Sequence, residues 1–391
     1  MISYIEGTAN ENYTAVHMDY DNDVFDYGDW GNVWFIKNLR PCMLNYDGTE
    51  AYLLDPNDYT KKADGTDSDI SDSTFDGNVM VGIPKVYFKI VPIDDDHCNF
   101  YFSDKKVDDN YHCWAHINNY GDEIPYCYLS AYDGSLVDSK LRSISGLMPE
   151  LRGINTLQEF IAPNNQNDDN IWSMNTYSDW LLIVLLGLLI SKTTNSQTSF
   201  GLGHSNGSST SNTYKGCINC GLANDKGLFW GTNVTGSPVK IFGIENFWGQ
   251  YYRFMLGAIY SNGIQKIKLT YGTQDGSTVE GYNLTGNGYI TIDDSTVSGT
   301  VSSYNSKYNS GYLLQLAFTE EGIFIKKMDE SSDYKSLYYD TSSIYLNGGT
   351  YIMTSSNYYY NKNDISIVTL SGFISYDSQN ISYIKCLPKV N

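Results

Sequence analysis

Charged side chains are scarce in this chain, at 18% of 391 residues, and the basic ones are scarcer still: 25 Lys and Arg stand against 45 Asp and Glu. The net charge of −20 repels phosphate backbones and anionic bilayer surfaces, which disfavours nucleic acid and membrane partners alike. Long apolar runs are also missing. The longest, Trp180–Ile190, is too short to span a bilayer and reads as a buried helix. The opening MISYIEGTANENY has neither a basic region nor an apolar stretch, so no secretory signal is expected there and the chain is expected to fold in a cytoplasm. Cysteine is present seven times, an odd number spread from Cys42 to Cys386 without a repeating framework, which argues against a disulfide scaffold. No G-x-S-x-G elbow, P-loop or dinucleotide fingerprint occurs, so no motif argues for catalysis. No period of 20–50 residues suggests repeats.

What the chain does have is 35 Tyr and 35 Gly, with abundant Asn and Ser. Tyr offers a large amphipathic face at low entropic cost, and Ser, Gly and Asn offer adaptable hydrogen bonds, as in binding loops. An AT-rich genome would enrich Tyr and Asn equally. Residues 1–40 carry Asp- and Gly-rich turns without a long periodic segment and read as a separate attachment or oligomerisation segment. Tyr46-Asp47-Gly48-Thr49 is a hairpin-type turn leading into Tyr52-Leu53-Leu54. The polar stretch 57–76 reads as an ordered loop. From Gly82 the pattern alternates, with Val86, Phe88 and Ile90 on one face of a strand; Phe100–Phe102 and Tyr126–Tyr132 read as further strands. Two helices are expected, a short one over 154–162 and a buried one over 177–191, the latter opened by a capping box between Thr176 and Asp179. Beyond residue 260 the turns Asn262-Gly263, Asp275-Gly276 and Asn287-Gly288 separate Tyr-, Ile-, Val- and Thr-rich strands. The whole reads as an α+β fold, β-rich with two helices and long loops.

Candidate chemical constellations weigh toward structure. Cys217 and Cys220 have C-x-x-C spacing, but no second pair of soft ligands completes a zinc site, so structural thiols are expected, with metal or redox use as the alternative. His112 and His116 flank Cys113-Trp114-Ala115 between turn-like segments and read as ordinary residues of a strand or loop. The acidic run Asp19–Asp26 lacks the ligand order of an EF-hand and reads as a solvated loop, so no metal is expected.

The order of several segments resembles formylglycine-generating-enzyme-like domains of the C-type-lectin-like fold. Asn175-Thr176-Tyr177-Ser178-Asp179-Trp180 runs into the buried helix as it does there. Phe242-Gly243-Ile244-Glu245-Asn246-Phe247-Trp248-Gly249-Gln250 is similar to the G-L-x-D-M-x-G-N signature of such domains, with Tyr252 and Phe254 where Trp is usual. Asn347-Gly348-Gly349-Thr350-Tyr351 resembles their R-G-G-S-W strand, and Tyr383-Ile384-Lys385-Cys386 the closing G-F-R strand, with Lys385 in place of Arg. Stretches at 40–49, 58–62 and 77–85 look like those of phage tail proteins carrying this domain. The resemblance covers residues 41–391 as one C-type-lectin-like domain, with loop insertions at about 261–340.

The resemblance implies a non-enzymatic role. The copper-binding cysteine pair of the enzymatic relatives is missing, since only Cys386 follows Cys220, and a His iron-ligand cluster is missing, since only His204 follows His116. No cofactor is expected. The display relatives, tropism determinants and retroelement-diversified variable proteins, carry exposed variable residues after the Gly-Gly strand. Here that places the ligand contacts at Tyr351, Ser355, Asn357, Tyr358, Tyr359, Tyr360 and Asn361, with Tyr376 and Asp377 beyond. Asn, Tyr, Ser and Asp are what adenine-directed mutagenesis of AAY codons yields. The implied protein is a receptor-binding component of a phage tail, located in the virion. Its expected partners are a host cell-surface protein or glycan, other tail proteins and further copies of itself, as in a trimer. A structural tail or baseplate subunit is the alternative.

Overall fold

The computed structural model of the protein describes residues 4–5, 12–93, 98–150, 152–153, 169–193, 196–204, 217–234, 236–248, 256–261, 264–272, 281–282, 286–291, 300–304, 316–320, 322–325, 335–338, 379–380 and 383–390. Its largest element is an antiparallel sheet of seven strands: β1 (Arg40–Asn45), β2 (Glu50–Asp55), β3 (Asp58–Lys62), β4 (Gly77–Pro84), β5 (Tyr126–Ser130), β6 (Trp172–Met174) and β7 (Ile384–Cys386). Their order across the sheet is β6-β7-β5-β4-β1-β2-β3. The β-rich α+β class expected from the sequence is therefore observed.

All eight residues of β4 are buried. Because successive side chains of a strand point to opposite faces, this strand is covered on both sides, and its near-continuous run of Val79, Met80, Val81 and Ile83 suits that position. The tail of the chain does not add to an edge. β7 inserts between β6 and β5, with Cys386 facing Trp172 on one side and Tyr128 on the other. The Tyr46–Thr49 turn joins β1 to β2 as expected, with Gly48 at φ +84°, a left-handed conformation that glycine adopts without steric cost.

Two strand assignments differ from expectation. The polar stretch 57–76 contains β3, whose Tyr59 is fully buried and whose Tyr59 N–H donates to Asn224 O at 2.9 Å. Its polarity comes from Asp-x-Thr pairs at the start of β3 and in the turns that follow. In Asp58-x-Thr60, Asp64-x-Thr66 and Asp72-x-Thr74 the Asp carboxylate accepts both the backbone N–H and the hydroxyl of the Thr two residues on. The alternating run after Gly82 is two strands, not one. β4 ends at Pro84 and a new strand, Tyr87–Pro92, starts a small sheet with Cys98–Ser103 and Tyr4–Ile5. Val86, Phe88 and Ile90 still share a buried face.

Helix α1 (Tyr177–Ser191) has the expected bounds and the expected start. Asp179 Oδ2 accepts from the Thr176 N–H at 2.7 Å while the Thr176 hydroxyl faces the Asp179 N–H at 3.4 Å, a reciprocal cap worth about 1 kcal/mol. Every residue except Leu188 is buried, as an all-round apolar helix requires. Short helices at Trp34–Lys37 and Ser196–Phe200 were not legible from periodicity, each being barely one turn long. The helix expected over 154–162 lies outside the described residues.

Residue 40 is no packing boundary. Val16, Met18, Phe25, Trp30, Val33, Trp34, Phe35, Ile36 and Leu39 join the same core as the sheet and α1. The hairpin His17–Asp19/Val24–Asp26 brings Phe25 into a stack on Phe229, with ring centroids 4.8 Å apart, and Phe229 meets Phe242 at 4.8 Å. Residues far apart in the chain thus share one aromatic column. Of the expected turns past residue 260, Asn287-Gly288 is one, with Gly288 at φ +77°. The strands Ala258–Ser261 and Ile264–Ile267 pair antiparallel on either side of Asn262-Gly263. Asp275-Gly276 lies outside the described residues. No helix among the described residues is long and apolar enough to cross a membrane.

Gly187 sits inside α1, where a side chain at its position would meet no atom within 4 Å. Beside it Ile183, Val184, Leu188, Phe200 and Phe247 line an apolar cavity of about 10 Å³. Gly187→Ala adds a methyl group toward open space and removes the conformational cost of glycine in a helix. The expected result is a gain of about 1 kcal/mol in urea denaturation at unchanged slope; a loss of stability would show that the helix needs the gap.

Candidate functional site

The residues expected to contact a ligand, Tyr351, Ser355, Asn357, Tyr358, Tyr359, Tyr360, Asn361, Tyr376 and Asp377, all lie outside the described residues. The structure does describe the base from which that part of the chain departs and to which it returns. The Asn175 carbonyl accepts from the Leu256 N–H at 3.0 Å, and the Asn175 N–H donates to Tyr383 O at 3.2 Å. Leu256 O in turn accepts from the Tyr177 N–H at 2.8 Å. The backbone on either side of residues 257–382 is thus bonded to the residues just ahead of α1, and within that segment Ile267 and Leu269 join the core.

A buried ion pair reinforces that point. Lys385 in β7 reaches the Asp179 carboxylate, with 3% and 1% of the two side chains exposed, and its ammonium lies 3.5 Å from the Thr176 hydroxyl. One carboxylate thus serves two purposes: one oxygen caps the helix and the other holds the closing strand. The lysine meets the carboxylate as a point charge rather than as the fork an arginine would offer.

A second buried polar cluster fixes the segment that carries Cys217 and Cys220. The Glu245 carboxylate accepts from the Gly221 and Ala223 N–H groups, each at 2.8 Å. The Lys240 ammonium donates to Ala223 O at 3.0 Å and stands 3.5 Å above the Tyr59 ring centroid. Tyr59 OH donates to Gly243 O at 3.1 Å, Tyr383 OH to Glu245 O at 2.6 Å, and Tyr132 OH to the Asn224 side chain. Burial pulls the Lys240 ammonium down to about 8 and pushes the Glu245 carboxyl up; the neighbouring opposite charge works against both shifts. The stretch Phe242–Trp248 lies in the core: Phe242, Gly243, Ile244, Glu245, Asn246 and Trp248 are all buried. Gly243 is at φ +80° with Tyr59 packed against it, so no side chain fits there.

Both cysteines of the C-x-x-C stretch are buried thiols, and Cys220 Sγ lies 3.4 Å from Asp133 O. His112 stacks on Trp114 at 4.7 Å and 10°. His116 is wholly buried with Nε2 donating to Ile83 O at 3.1 Å. Trp114–His116 form one turn of 3₁₀ helix rather than a strand or loop, yet the two imidazoles serve packing as expected. The Asp19–Asp26 run forms the turn and second strand of the hairpin noted above, with Phe25 buried and the Asp19 carboxylate accepting from Asp21 and Asn22. Among the described residues no three His, Cys, Asp or Glu side chains gather as metal ligands would.

The anchoring residues were only partly visible beforehand. Lys240, inside Val239-Lys240-Ile241-Phe242, and Lys385, between Ile384 and Cys386, are lone cations in apolar runs, and that is the signal that marks them. Asn175 acts through its backbone and leaves no such mark. Compared with known proteins, the chain matches no family model and no curated protein.

Two outcomes follow for stability. Lys385→Met leaves Asp179 buried without its partner and costs about 3–5 kcal/mol in urea denaturation, whereas a change under about 1 kcal/mol would show the pair to be dispensable. Burial pulls His116 from an ordinary 6.5 down to about 3. Below pH 6.5 the unfolded chain takes up a proton that the folded one refuses, so this residue removes stability steadily as pH falls toward 3, at about 1.4 kcal/mol per pH unit. Stability curves of His116→Gln over that range lack this component of the slope; an unchanged slope would assign the acid loss elsewhere.

Proposed function

We propose that the chain is a non-enzymatic recognition protein of a phage tail. In this reading a C-type-lectin-like domain of the formylglycine-generating-enzyme-like type displays Tyr-, Asn- and Ser-rich loops to a host cell-surface protein or glycan. The supporting observation is the double anchorage at 175–177: the Leu256 and Tyr383 backbones both bond to Asn175, beside the Lys385–Asp179 pair. Such a base, with Ile267 and Leu269 held in the core, would let the remainder of residues 257–382 vary while the sheet and α1 stay fixed, which is what a display scaffold requires. Placement of Phe242–Trp248 and Ile384–Cys386 in the core is consistent with the roles their counterparts hold in the resembled domains. Assembly with other copies and with tail proteins would use faces of this domain, because residues 16–39 are engaged in its core.

Adsorption of the purified chain to host cells tests the reading. Binding that competes with infection supports it; a protein that assembles into particles but never adsorbs would instead be a structural tail subunit. Within the display stretch, Tyr358, Tyr359 and Tyr360 are the residues to change. In an extended segment consecutive side chains alternate in direction, so single alanine substitutions should alternate between lost binding at unchanged stability and lost stability. Uniform destabilisation with intact adsorption would move the contact surface elsewhere.

A further inference from the structure

The C-x-x-C stretch is not used by the proposed recognition role, yet it is placed where its fate is tied to the buried charges. Cys220 is 2% exposed and Cys217 8%. The Cys220 N–H donates to Leu147 O and its carbonyl accepts from Gly146, both at 2.8 Å. Immediately downstream, three of the bonds holding the chain come from Glu245 and Lys240, on the Gly221 and Ala223 N–H groups and on Ala223 O. Charge-assisted bonds are about twice as strong as neutral ones, and the residues they grip are irregular backbone outside any sheet. Cys42, Cys127 and Cys386 differ in kind, because each lies in a strand of the central sheet.

We propose that Cys217 and Cys220 are a latent disulfide pair, and that the Lys240–Glu245 clamp masks them by holding residues 217–224 against the core. Local opening of that segment, without unfolding of the sheet, exposes both thiols together. With a low-molecular-weight disulfide as oxidant, one thiolate attacks a sulfur of the reagent and expels one thiolate; the second cysteine then attacks the mixed disulfide and expels the other half. Two protons and two electrons leave the protein, and one S–S bond replaces another. In the closed state burial pushes the Cys220 thiol well above its usual range, which keeps it unreactive. The reduced state then suits a reducing cytoplasm, and oxidation records that the segment has opened.

Oxidised glutathione at pH 8, followed by alkylation and peptide mass analysis of the full chain, tests this. Expected is a peptide spanning Cys217 and Cys220 that is lighter by two hydrogens, formed at least about tenfold faster in Glu245→Gln than in the wild type, with Cys42, Cys127 and Cys386 still protected. Equal modification of these five among the seven cysteines, glutathione adducts without an internal bond, or no acceleration would each overturn it. Should Glu245→Gln fail to fold, the wild type in sub-denaturing urea decides. Cys217 and Cys220 modification must then rise with a shallower urea dependence than Cys127; a shared slope would mean that only global unfolding exposes them.

Discussion

An ammonium group taken out of water must be surrounded by oxygen atoms or an aromatic face, and much of this fold follows from meeting that demand. Lys240, Lys268 and Lys385 are all buried. Lys385 has Asp179 and Thr176; Lys240 has Ala223 O, the Tyr59 ring and nearby Glu245; Lys268 has Gly281 O at 2.7 Å. In each case the oxygen belongs to a segment distant in sequence or irregular in structure. The cost of desolvating the charge is offset only when that segment is in place, so each lysine makes the correct docking of a loop a condition of burial. Hydrophobic packing alone is less selective about register, since apolar side chains accept many neighbours.

The three sites are connected. Asp179 joins the start of α1 to β7; Tyr383, one residue before β7, donates to Glu245 O; and Glu245 holds the segment that reaches β3 through Asn224 and Tyr59. A polar route thus crosses from one edge region of the sheet to the other, parallel to the apolar core. The aromatic column of Phe25, Phe229 and Phe242 adds the N-terminal hairpin to the same body.

Legibility in the sequence followed the length and regularity of each element. Helix 177–191 could be read to the residue because a capping box and an unbroken apolar run both mark its start. Strand β5 and the β1–β2 hairpin were legible from aromatic alternation and from Asp47-Gly48. β3 was not, because its one core residue, Tyr59, is surrounded by Asp, Thr and Lys that serve the turns. The break at Pro84-Lys85 was readable in principle from the missing proline donor, but the alternation through Val86 hid it. For the candidate site, Glu245 and Lys385 were noticed only as parts of motifs. Their pairing depends on contacts across more than 200 residues in one case and on backbone N–H groups in the other, and neither has a local signature.

The convergence of Leu256 and Tyr383 on Asn175 has a consequence for how this chain can change over time. The entropy lost in closing a loop grows only with the logarithm of its length, so each doubling costs about 0.6 kcal/mol. Once the two ends are joined by a fixed base, insertions and deletions between them cost the rest of the molecule little, provided that Ile267, Lys268 and Leu269 keep their buried places. The scaffold and the excursion can therefore drift at different rates, and two such proteins could share the first half closely while scarcely resembling one another in the second.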